Sequence, residues 1–347
     1  MIVTSDIELE SLVIHKVGNK SKAEEVQLSQ APLTVETEIK DLLIHYFLSP
    51  FKSEEYFNLY HETDLNMNEV FSYATALFEN PDSIYEQSVN LAKHLYEAST
   101  HPKVKAGEFY VVYFKNSIVD GETLDAIGIF KSESKETFLK VYPTENTFRV
   151  QQDSGVSINK LDKGCIIFNT EQENGYLLSI VDKTNAKNEA RYWCEDFLNI
   201  TQRKDNYYQT QQVMSLCKDF ITEKLPEQFE VSRADQAELL NRSAAFMKEH
   251  DAFLMNEFEN QVMQQPEIKE SFEEYKAEFE ENFDTEIAQS FGIAKPAVKK
   301  NQRFFKTILK LDKNFSIYIH GNRDRIERGK DEETGLSYYK FLFESEK

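Results

Sequence analysis

Hydrophobic and polar positions follow two rhythms along this chain, and the changes of rhythm divide it. Residues 7–17 (IELESLVIHKV) crowd β-branched residues toward the turn signal Gly18-Asn19, which predicts an opening strand. Residues 37–46 place apolar side chains at 39, 42, 43 and 46, the spacing of one helical face. Two more helices are predicted at about 66–79 and 82–98. Pro81 and Asp82 start the second, and Ile84, Val89, Leu91, Leu95 and Tyr96 form its apolar side. From Gly107 the period drops to two. A long apolar strand, an Asp120-Gly121 turn and a return strand through Ile127, Ile129 and Phe130 read as a hairpin. Shorter strands are expected at 136–142, 147–152, 164–169 and 176–182. The first 185 residues or so therefore read as α+β, with a largely antiparallel sheet.

Between Glu189 and Gln289 the pattern turns helical. Val213, Leu216, Cys217, Phe220 and Ile221 share one face, and Pro226 is expected to stop that helix. Ser232 to Asp235 has the form of a capping box opening another helix. In the stretch PEIKESFEEYKAEFEENF, Ile268, Phe272, Tyr275, Phe279 and Phe283 recur at helical spacing while the opposite face is nearly all Glu. An amphipathic helix docking its aromatic stripe into a core explains this pattern better than a dedicated binding surface.

After Pro296 the alternation returns. Phe305, Thr307, Leu309 and Leu311 alternate with Phe304, Lys306, Ile308 and Lys310, 312–314 reads as a turn, and Phe315, Ile317 and Ile319 follow. With a last strand near 338–343, the pattern predicts a three-stranded antiparallel unit. Its open face would carry Lys306, Lys310, Tyr318, His320, Tyr338 and Lys340. The expected organisation is an α+β domain over 1–200, an acidic helical segment over 201–294 and a basic β unit over 295–347.

Charge sharpens this division. The chain of 347 residues carries a net −20, yet residues 295–330 hold eleven Lys and Arg against three acids, a local +8. The last seventeen residues carry −3 (two Lys, five acids), which leaves −25 on residues 1–294. Each region focuses its own potential, so a polyanion is attracted to one part of the molecule and repelled by most of the rest. The candidate phosphate contacts are Lys295, Lys299, Lys300, Arg303, Lys306, Lys310, Arg323, Arg325 and Arg328, with Tyr318 as an aromatic neighbour. The competing use of these cations is pairing with the molecule's own acids, for example on the Glu-rich helix or at Asp331 and Glu332.

Other chemistry leaves no pattern. There is no glycine-rich phosphate loop, no HExxH, no CxxC and no GxSxG elbow among these residues. The seven histidines lack ligand spacing, so no metal or cofactor is expected. Three widely spaced cysteines, Cys165, Cys194 and Cys217, read as mostly buried thiols of a reducing compartment. The longest apolar run, 109–114, is far short of a membrane span, and the opening MIVTSDIELESL has acids where a signal peptide needs cations. A soluble, cytoplasmic protein without membrane contact is expected.

Several stretches in order along the chain resemble the bacterial nucleoid-associated protein family (the NdpA/YejK-like group). They are SLVIHKVG (11–18), AIGIFKSE (126–133), INKLDKGCIIFN (158–169), ARYWCEDFLNI (190–200), FKTILKLDKNFSIYIHG (305–321) and YYKFLF (338–343). The resemblance implies a nucleoid-located protein with affinity for double-stranded DNA and no established enzymatic reaction. None of these stretches is a catalytic signature. A net charge of −20 sits awkwardly with coating DNA, where binding is dominated by phosphate neutralisation. Two functions therefore stand: a small oriented DNA contact through the basic segment, or an acidic adaptor for nucleoid or DNA-processing proteins. The pattern leaves open whether the 205–294 helices form a homodimer interface.

Overall fold

In the computed structural model of the chain, the described residues are 6–183, 192–305, 307–311, 315–319 and 325–345. The chain divides into two compact units, Met1–Arg203 and Lys204–Lys347.

The first unit is built on a seven-stranded antiparallel sheet. Its order is Glu8–Val17, Gly107–Val119, Glu122–Ser132, Lys163–Phe168, Leu177–Asp182, Tyr56–Leu59 and Ile200–Gln202. Both faces are covered. Phe109, Val111 and Tyr113 point to a core shared with the helices Glu69–Glu79 and Ile84–Ala98, and with Trp193 and Phe197. Tyr110, Val112 and Phe114 point to the opposite core, against Tyr46, Phe47, Leu48 and Phe51. This is why residues 109–114 form an unbroken apolar run: alternation vanishes when both sides of a strand are buried. The Asp120-Gly121 turn forms as its residues dictate, with φ of 51° and 87°. Two consecutive positive φ values are what a tight hairpin turn of this hand requires, and Gly supplies the second without strain.

The helix Thr37–Leu48 departs from its sequence reading. Tyr46, Phe47 and Leu48 are buried, but Ile39 and Leu42 are 45% and 46% exposed. Only the second half of the helix meets the core, with Leu43 and Ile44 half-buried against it and Phe47 stacked on Phe130 at 4.4 Å between ring centroids. Helical spacing reports an apolar stripe; it does not say how much of the stripe finds a partner.

The second unit is helical around Val213, Leu216, Cys217, Phe220, Phe246, Phe258, Phe272 and Phe279. The helix that reaches Pro226 ends two residues later, at Gln228, with Phe229 extended. The helix Asn206–Asp219 widens into a π-turn at Phe220–Lys224 and continues as Leu225–Gln228, with Pro226 in the opening turn of that last piece. The capping box is present: Ser232 Oγ accepts from the Asp235 amide at 3.2 Å, and the Asp235 carboxylate accepts from the Ser232 amide at 2.9 Å.

The C-terminal strands also differ from expectation. Among the described residues they form two separate hairpins, Thr307–Leu311 with Phe315–Ile319, and Ile326–Lys330 with Ser337–Phe341. Tyr338 and Lys340 therefore do not extend the first pair. A further strand, Ile326–Lys330, lies where the sequence pattern predicts none. The predicted turn at 312–314 and His320 lie outside the described residues.

Candidate nucleic-acid interface

The basic segment opens with the helix Lys295–Asn301, which Pro296 can start because a first-turn N–H has no helical partner. Ala297, Val298 and Asn301 face inward, and Asn301 Nδ2 donates to the Ala297 carbonyl at 3.0 Å. That leaves Lys299 and Lys300 exposed in the last turn, where cations complement the carbonyl end of the helix dipole. Lys300 Nζ stands 5.9 Å from the centroid of the Tyr207 ring. Lys295 has a different occupation. Its ammonium donates to the Lys248 carbonyl at 3.0 Å and to the His250 carbonyl, and lies 3.4 Å from the Asp251 carboxylate. It closes the carbonyl end of the helix Arg233–Glu249.

The hairpin Ile326–Lys330/Ser337–Phe341 carries the second set. Its register sets Arg328 opposite Tyr339 and Lys330 opposite Ser337 on one face. Arg328 and Lys330 are exposed there. Glu327 and Lys340, direct cross-strand partners, form an ion pair at 2.9 Å, and Arg325 pairs with Glu344 at 2.6 Å. These two pairs are the segment's own acids at work, on exposed side chains where such pairs contribute little stability. Gly329 lies under the ring of Tyr338, where a Cβ would come within 2.3 Å of a ring carbon. In the hairpin 307–319, Lys310 is registered opposite Ser316 and Tyr318 opposite Ile308. The side chains of Arg303, Lys310 and Tyr318, and residues Lys306 and Arg323 altogether, lie outside the described residues.

The Glu-rich helix Pro266–Asn282 finds its cations elsewhere: Glu278 pairs with Lys224 at 2.9 Å and Glu280 with Lys276 at 3.0 Å. Ile268, Phe272 and Phe279 are buried as the stripe predicts, while Phe283, past the helix end, is 61% exposed.

One feature gave no signal in the periodicity. Lys131 and Lys163 are buried at the same end of the first unit's sheet, both over the Tyr192 ring, at 5.2 and 5.0 Å from its centroid. Lys131 donates to the Tyr192 hydroxyl and to the Lys105 carbonyl, and lies 3.2 Å from Glu133. Lys163 pairs with Asp182 at 2.8 Å. Asp162 accepts from the amides of Glu133 and Ser134 at 2.7 and 2.8 Å. Burial lowers the Lys131 ammonium pKa, and burial together with Glu133 raises that of the Tyr192 phenol. Lys131 and Lys163 each face a carboxylate and Asp162 is held by two amides and the Ser134 hydroxyl, so the cluster ties strand ends together. The available hint was positional: each lysine directly abuts an apolar run, GIF before Lys131 and GCIIF after Lys163.

Among the described residues, no group of three or more His, Cys, Asp or Glu is placed to hold a metal ion, and no helix is long and apolar enough to cross a membrane. A sequence profile of the family described as nucleoid-associated protein YejK matches residues 13–334, and no curated protein gave a match. Three of the stretches that resemble this group, at 126–133, 158–169 and 190–200, supply Lys131, Glu133, Asp162, Lys163 and Tyr192 to the buried ion cluster. With an α+β fold and a match over nearly its whole length, the chain belongs to the nucleoid-associated protein YejK family.

Proposed function

We propose that this protein is a non-enzymatic component of the bacterial nucleoid, located in the cytoplasm, that contacts double-stranded DNA with little sequence preference. The contact runs through the basic C-terminal segment, with Lys299, Lys300, Arg303, Lys306, Lys310, Arg323, Arg325 and Arg328 on phosphates and Tyr318 beside them. Family membership supports the nucleoid role, and the observation that carries the surface is the charge reversal: +8 on residues 295–330 of a −20 chain. Exposure of Lys299, Lys300, Arg328 and Lys330 supports it further. Lys295, tied to helix-end carbonyls, contributes charge rather than a mobile contact. Phosphate neutralisation needs cations on an open surface, and it reads no base sequence.

Fluorescence anisotropy of labelled duplex DNA, titrated at several salt concentrations, tests this. The logarithm of affinity should fall linearly with log salt at a slope of a few phosphates. Replacing Lys299, Lys300 and Arg303 together with Glu should abolish binding, and unchanged affinity would rule out this surface.

A second reading has its own observation. Glu267, Glu270, Glu273, Glu274, Glu278 and Glu281 are all exposed on the helix Pro266–Asn282, a single-sign face suited to a basic partner protein. Capture of such a partner that survives nuclease and is lost on reversing these charges would favour the adaptor reading.

A further inference from the structure

A recess of about 380 Å³ opens in the second unit, between the start of the helix Arg233–Glu249 and the loop that enters the helix Pro266–Asn282. That volume is at the small end of ligand pockets, which run to about 300–1,000 Å³. Its floor is apolar: Leu239, Met263 and Ile268 are buried there, and Phe229 and Val231 stand half-buried as walls. Its rim carries Glu230, Asp235, Glu238 and Arg242. Asp235 is already committed to the Ser232 amide and hydroxyl, at 2.9 and 2.6 Å. Arg242 approaches Glu238 only to 3.8 Å, and its Nε is buried without a hydrogen-bond partner. A buried donor left unpaired costs free energy that a bound acceptor restores. Gln264 completes the rim at φ 63° and ψ −54°, a strained conformation for a residue with a side chain, and such strain gathers at ligand clamps.

We propose that this recess seats an apolar side chain carried on a lysine- or arginine-rich segment of a partner protein. That occupant presupposes the adaptor reading, and the recess supplies its apolar anchor. Charge selects it. The rim sets three acids against one arginine, and the helix that starts at its edge exposes Glu267, Glu270 and Glu274. Phosphates and carboxylates are repelled by such a surface. A bare lysine tract matches the charge yet leaves the apolar floor in water. A basic segment with one large apolar side chain satisfies both. The side chain leaves water in the recess, its flanking cations meet Glu230 and Glu238, and a backbone carbonyl accepts from Arg242 Nε.

Anisotropy of two fluorescent peptides on the full chain tests this: a lysine–leucine peptide with leucines at helical spacing, and its lysine–alanine counterpart. The leucine peptide should bind the wild type about tenfold tighter, the effect of burying one apolar side chain. Val231→Trp, which fills the recess from a wall, should reduce the leucine peptide to the affinity of the alanine peptide. The same variant should leave the alanine peptide and the unfolding midpoint unchanged. Glu230→Gln/Glu238→Gln, which changes no packing, should weaken the leucine peptide several-fold, and unchanged affinity overturns the proposal. A wild type that binds both peptides equally overturns it too. If reversing Glu267, Glu270 and Glu274 then lowers both affinities, the adaptor reading survives without the recess. Failure of both peptides to bind sinks both. A Val231→Trp variant that keeps the leucine preference also overturns the proposal, and one that instead loses duplex DNA affinity assigns the recess to DNA.

Discussion

The ammonium of Lys131 donates to the phenol oxygen of Tyr192 at 3.0 Å, and that phenol donates in turn to Glu133 at 2.6 Å. A side chain from the end of one strand is thereby held to the segment that leads into Trp193 and Phe197, both packed in the core. Removing the cation leaves a buried carboxylate without its partner, which typically costs about 3–5 kcal/mol. Lys131→Met should therefore lower the urea midpoint sharply. Tyr192→Phe, which removes one hydroxyl, should cost about 1–3 kcal/mol. Adding Glu133→Gln to Lys131→Met should recover part of the loss, and full additivity of the two changes would show that the pair is not coupled.

His15 makes stability depend on pH. It is buried, its Nδ1 accepts from the Ser29 amide at 3.1 Å, and its Nε2 lies 3.0 Å from Ser88 Oγ. Burial lowers its pKa from 6.5 to about 4. The folded state resists a proton that the unfolded chain accepts, so stability is full above pH 6.5 and falls as pH drops toward 4. The loss across that window should approach about 3 kcal/mol. Denaturant unfolding of wild type and His15→Gln between those limits checks it: the variant should show a shallower pH slope.

The capping box at Ser232 and Asp235 satisfies two amides at the start of the helix Arg233–Glu249. Ser232→Ala should cost about 1 kcal/mol in the second unit, measured by chemical denaturation. Ser232→Thr, which keeps the oxygen, should cost less.

Gly329 lies where a Cβ would meet the Tyr338 ring at 2.3 Å. Gly329→Pro, which adds that Cβ and also removes a backbone N–H from the strand pair, should disrupt the hairpin Ile326–Lys330/Ser337–Phe341 while leaving the helical core intact. Limited proteolysis should then cut within 326–341 much faster, with little change in the thermal midpoint. Because Arg328 rides on this hairpin, the same variant should lower DNA affinity if the proposed surface is correct.

Local structure was largely readable in advance where one rule governed. The Asp120-Gly121 turn, the Ser232–Asp235 cap and the apolar stripe of Ile268, Phe272 and Phe279 follow from backbone preference and periodicity within a few residues. Reading failed where the outcome depended on what packs against an element. Ile39 and Leu42 have helical spacing yet stay exposed, and the widening of a helix into a π-turn at Phe220–Lys224 left no mark in the periodicity. For the basic surface, the sequence located the cations but not their occupations: Lys295 serves helix-end carbonyls and Arg325 serves Glu344.

By itself the sequence determined most of the succession of strands and helices, together with the two rhythms and the segregation of charge, because each is a property of neighbouring residues. It did not determine the strands Tyr56–Leu59, Ile200–Gln202 and Ile326–Lys330. Tertiary structure alone decided that the strand 8–17 pairs with 107–119, and that 56–59 sits between 177–182 and 200–202. It also decided that the last four described strands form two hairpins and that Lys131 and Lys163 lie buried over one tyrosine. Backbone hydrogen-bonding groups are the same at every residue, so the choice among partners rests on side chains distant in sequence. Periodicity tells which face is apolar; only the folded chain tells what covers it.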